Sequence, residues 1–234
     1  MNSAAPPATP RFPVYRPIHK ALRAFMSDTL VAIGRMDPDD DNDVETALEQ
    51  ARSLLAMLRV HLEDENRFVH PAMEARRPGS TDKTAHDHVE HECALADLDE
   101  LITRVSGSQL QERTSAASTL YRRLALFVAE NFEHMHIEEH DNAAVLWAEY
   151  SDEELMAIEA AIVASVPPAA MAVAARWMMS GLNHSERVAT LLGIRQTAPT
   201  EAFEGLLAIA RSHLNARDWA KLADALSLPP ARAA

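Results

Sequence analysis

The chain has 234 residues, enough for one large domain or a domain with an appendage, and ample for a sizeable core. Apolar residues make up 47%, aromatics only 5%, and glycines number six, a balance that favours helices over strands. The formal net charge of −13 disfavours nucleic acid and anionic membrane, both of which reward cationic surfaces. The acidity is uneven: residues 1–150 hold 26 acids against 15 Lys and Arg, the remainder 9 against 7, so the first part concentrates carboxylates. A single cysteine, Cys93, rules out an intrachain disulfide and fits a reducing compartment. The opening MNSAAPPATPRFP does not read as a signal peptide, and no apolar stretch approaches the ~20 residues needed to span a bilayer, so a cytoplasmic protein is expected.

Residues 1–12 read as a flexible leader. A first helix is predicted over 15–36, with Ile18, Leu22, Met26, Leu30 and Ile33 at helical spacing. MDPDDDND then breaks it, and this acidic run lacks the spacing and glycine of a calcium loop. A second helix fits 43–75 through Leu54, Leu58 and Phe68, closed by RRPGS. A third fits 81–105 through Leu95, Leu98 and Ile102, and a fourth 109–149 through Leu120, Leu124, Phe127 and Val145. Four long amphipathic segments with mostly short links predict an all-α, up-down-up-down four-helix bundle over residues 13–150. Residues 151–234 predict a C-terminal extension of shorter helices: Ser151 is a candidate N-cap, NHSE and NARD resemble capping boxes, and Met171, Trp177, Met178 and Met179 would pack these helices onto the bundle.

The fourth helix carries NFEHMHIEEHDN. In a helix, His134 and Glu138 lie about 40° apart, on the apolar stripe that runs from Leu120 to Val145. His136 and His140 fall away from it, as surface or ligand-supporting groups. The second helix repeats the arrangement with His61 and Glu65, the third places His88 and His91 in register with Leu95, and the first has His19 in register with Leu22. His86, His184 and His213 read as surface or ligand-supporting groups, and Glu63, Asp64 and Glu139 as solvated or ligand-orienting groups. Burying His19, His61, Glu65, His88, His91, His134 and Glu138 unpaired would unfold a domain of ordinary stability, and a metal removes that cost. Five imidazoles and two carboxylates exceed one tetrahedral ion and suit two ions about 3.5–4 Å apart. Mixed nitrogen and oxygen ligation suits iron, with zinc or manganese chemically compatible.

The order H…HxxxE…HxxH…HxxxE over four helices resembles the hemerythrin-like (HHE cation-binding) domain. That resemblance implies a non-haem di-iron centre, its two irons bridged by oxide or carboxylate, that binds O2, NO or peroxide or acts in iron handling. Oxygen-carrying members have HxxxH on the third helix and HxxxxD on the fourth. Here His88 and His91 are three apart and His86 and His91 five apart. His136 and Asp141 satisfy HxxxxD, but a straight helix would set them about 140° apart. His134 and Glu138 are therefore preferred, with Asp141 in reserve, and the departures point away from reversible oxygen transport. The expected function is binding or sensing of a small diatomic ligand or peroxide; a di-iron oxidoreductase and an iron storage or delivery protein are the alternatives. The C-terminal helices could serve a homo-oligomer or a protein partner.

Overall fold

The computed structural model of the chain describes residues 11–228; the first ten residues of the predicted leader lie outside that range. Arg11 and Phe12, which end that leader, are held against the fourth helix: Arg11 donates to the carbonyls of Trp147 and Tyr150, and Trp147 Nε1 donates to the Phe12 carbonyl. Among the described residues the fold is all-α, without strands. No helix among them is long and apolar enough to cross a membrane.

Four long helices form the bundle. The first, α1 (Arg16–Arg35), starts with Pro17 in its first turn, where a missing N–H costs nothing. Asp40 then caps α2, its carboxylate accepting from the backbone N–H groups of Asn42 and Asp43. α2 runs through Asp41–Asp64, Glu65–Val69 and His70–Arg76, with the middle segment wound as π-helix. A tight link containing Gly79 (φ 81°) leads to α3 (Asp82–Gly107). α4 runs through Leu110–Ile137, a second π segment at Glu138–Asn142, and Ala143–Glu149. Each helix packs on the next and α4 returns to α1, so short links make neighbours antiparallel in the predicted up-down-up-down order. Phe25, Phe127, Leu22, Leu54, Leu95 and Leu124 fill the interior.

The π segments shift the inward stripe. A π turn accommodates one residue more than an α turn, so the residues beyond it rotate relative to a straight helix. After Glu65 the next buried positions are Val69, His70 and Met73, and Phe68 is only partly buried. After Glu138 they are Asn142, Ala143 and Leu146, while the reserve ligand Asp141 is exposed and Val145 only partly buried.

Beyond the bundle, α5 (Asp152–Ser165) opens on a capping box between Ser151 and Glu154 and packs over the first π segment. α6 (Pro168–Gly181) lies along α1, where Trp177 stacks on Phe25 with ring centroids 4.2 Å apart. Then come α7 (His184–Thr197), with the expected Asn183–Glu186 capping box, α8 (Thr200–His213), and α9 (Ala216–Ala225), capped by Asn215. These helices bury a second core that includes Met179, Leu191, Phe203, Leu206 and Leu222. Met178 packs against both cores, and Met171 is half-buried.

Candidate metal centre

All seven predicted donor residues are buried. His19 comes from α1, His61 and Glu65 from α2, His88 and His91 from α3, and His134 and Glu138 from α4. Six of them converge in two sets, His19, His61, Glu65 and Glu138, and Glu65, His88, His134 and Glu138. Within each set the donor atoms all lie within 4.8 Å of one another. Glu65 presents Oε1 to His61 Nε2 at 3.4 Å and to His19 Nε2 at 3.8 Å, and Oε2 to His88 Nε2 at 3.4 Å. Glu138 Oε2 lies 3.2 Å from His134 Nε2 and 3.4 Å from His19 Nε2. The Nε2 atoms of His88 and His134 are 3.2 Å apart.

Apart from the 3.8 Å pair, these spacings match the edges of a coordination shell: donors about 2.1 Å from one ion stand roughly 3.0–3.4 Å apart at octahedral or tetrahedral angles. The four carboxylate oxygens of Glu65 and Glu138 are buried without a hydrogen-bond partner, as are Nε2 of His19 and of His61. Leaving so many polar atoms unsatisfied at one point would cost many kcal/mol. A cation bound between neutral imidazoles and carboxylates removes that penalty, so the donor set fits a metal.

The two sets correspond position by position. His19 on α1 with His61 and Glu65 on α2 matches His88 on α3 with His134 and Glu138 on α4, and each glutamate opens a π segment. The ring nitrogens that face away from the cluster are held by residues next to a donor in the chain. Asn66, after Glu65, receives His88 Nδ1 at 2.7 Å, and Glu139, after Glu138, receives His19 Nδ1 at 3.1 Å. Asp87, before His88, lies 3.4 Å from His134 Nδ1. Carboxylate and amide oxygens accept, so Nδ1 carries a hydrogen in each case and Nε2 faces the cluster, free to ligate once it holds no proton. Arg23 braces Glu139 at 2.5 Å and Lys83 braces Asp87 at 2.6 Å.

Charge is balanced the same way. Burial opposes protonation of His19, but Glu139, Glu65 and Glu138 outweigh it and raise the pKa to about 9. His88 is likewise raised to about 9 against burial by Glu138 and Glu65. Burial would also raise the carboxyls of Glu65 and Glu138, yet the surrounding histidines hold both below the usual carboxylate range. Tyr15 stacks on His19 with ring centroids 5.3 Å apart, its hydroxyl buried and without a hydrogen-bond partner. Burial and the charges of Glu138 and Glu65 push that phenol well above its ordinary value.

His91 lies outside both sets. Its ring sits 4.8 Å from that of His134 and 5.9 Å from that of Phe127, and its Nδ1 has no hydrogen-bond partner. Burial, then His134 and His88, lower its pKa to about 4, so the ring is neutral. His86, His136 and His140 are exposed, and so is Cys93. Asn66, Asp87 and Tyr15 escaped the reading of the sequence. For the first two, the available signal was a hydrogen-bond acceptor directly beside a candidate ligand.

A family model described as the hemerythrin HHE cation binding domain matches residues 14–146. Neither curated proteins nor solved structures give a match to the chain.

Proposed function

The chain belongs to the hemerythrin HHE cation-binding family, and on that premise we propose that residues 13–150 form a non-haem di-iron unit that binds or senses O2, NO or peroxide. Residues 151–234 are its appended helical unit. The proposed ligands are His19, His61, Glu65, His88, His134 and Glu138. The observation that carries the reading is the sharing of both carboxylates by two four-donor sets. Shared carboxylates favour two cations about 3.5–4 Å apart, and nitrogen with oxygen ligation favours iron.

A bound metal pair supplies open coordination positions and a change of redox state at which a small ligand coordinates. The rest falls to this chain. Glu139, Asn66 and Asp87 fix the imidazole tautomers, and Arg23 and Lys83 hold the two carboxylates in place. Tyr15, Val69, Met73, Ala143 and Leu146 bury the end of the bundle next to the π segments and keep bulk water out. The lone cysteine supports a cytoplasmic location.

The test is anaerobic loading with Fe(II), metal analysis, and absorption spectra before and after O2, NO or peroxide. About two irons per chain, with charge-transfer bands that appear on ligand addition, are expected. A chain that retains no iron, or whose spectrum ignores all three ligands, would overturn the reading.

A further inference from the structure

A groove of about 490 Å³ runs between α3 and α4, and both His91 and His134 line it. We propose that this groove is the route by which divalent cations reach the buried centre, with His91 as the imidazole that passes them to His134; the inference rests on the metal reading above.

His91 is only 4% exposed, its Nδ1 has no partner, and it belongs to neither donor set. Packing does not call for an imidazole at this place. His91 follows His88 by three residues, and the matching residue after His19 is Leu22, a fully buried core side chain. One helix pair fills the position with hydrocarbon, whereas the other spends a buried polar ring on it at the floor of an open groove.

The charges along the groove select cations. Lys83 is held by Asp87, and Arg123 lies 3.9 Å from Asp97 and 3.7 Å from Glu130. Both cationic side chains are thus matched, and five carboxylates against two cations leave the lining negative, with Glu90 and Glu133 unmatched by either cation. Such a surface concentrates cations and repels anionic ligands. The corresponding approach along α1 is covered by α6. The transfer is a ligand exchange from one imidazole to the next, without any change of redox state.

The test is stopped-flow uptake of Co(II) by the full chain after metal removal, following ligand-field absorption, with final metal content measured separately. Glu90→Gln with Glu133→Gln should slow uptake by about threefold and weaken its salt dependence, and His91→Leu should slow it by about tenfold. Both variants should reach the native metal content. Native uptake rates in both variants would overturn the route, and a lower final content in His91→Leu would make His91 a ligand instead. A native chain that takes up no Co(II) would remove the metal reading together with the route.

Discussion

Glu65 and Glu138 place four unsatisfied carboxylate oxygens at one buried point, while His19 and His88 gain protons there that free histidines would lose near neutrality. Cation loading must displace those protons. With both pKa values at about 9, loading at pH 7 should release both protons, and release should fade above about pH 9. The sign for the metal-free chain is opposite: raised pKa values stabilise it fully below the ordinary histidine value of about 6.5, and that contribution is lost as pH rises through about 9. Calorimetry in buffers of different ionisation heat would count the protons, and zero release at pH 7 would contradict these ionisation states. The six converging donors were legible because helical period alone put His61 with Glu65 and His134 with Glu138 on apolar stripes. Asn66 and Asp87 were not, since their role depends on which helix stands beside them. That is set by packing rather than by spacing along one chain segment.

At the level of single helices, the lengths were legible to within two or three residues, because Asp40, the Gly79 turn and the Ser108–Gln109 link punctuate the chain strongly. The inward stripe beyond each glutamate was not. A straight helix predicts Phe68, Asp141 and Val145 facing in, and the π winding substitutes Val69, Asn142 and Leu146. No residue type marks that winding in advance. The C-terminal helices depend on a close approach to α1: a Cβ on Gly181 would stand 2.7 Å from the Lys20 carbonyl oxygen and 3.0 Å from its carbon. Backbone cannot yield as a side-chain tip can. Gly181→Ala should therefore destabilise the packing of α6 on α1 by about 1–3 kcal/mol. Faster hydrogen exchange across α6, with metal content unchanged, would report it; native protection in α6 would show that the contact adjusts freely.

For the molecule as a whole, metal and fold are linked, because a ligand that binds only the native chain stabilises it by mass action. At free metal about 100 times the dissociation constant, each site adds about 2.7 kcal/mol. Chelation should lower the denaturant midpoint accordingly, and Glu65→Gln, which alters a donor common to both sets, should remove most of the difference between loaded and stripped protein. Equal midpoints with and without chelator would uncouple the two. The correspondence between the helix pairs reaches further. The first pair owns only three of the four donors in its set and takes Glu138 from the second, which in turn takes Glu65 from the first. Neither pair supplies all four donors of its set alone. If the backbone were severed in the Arg77–Thr81 link, bound ions would staple the halves together, and a chelating agent would part them as a reductant parts a disulfide.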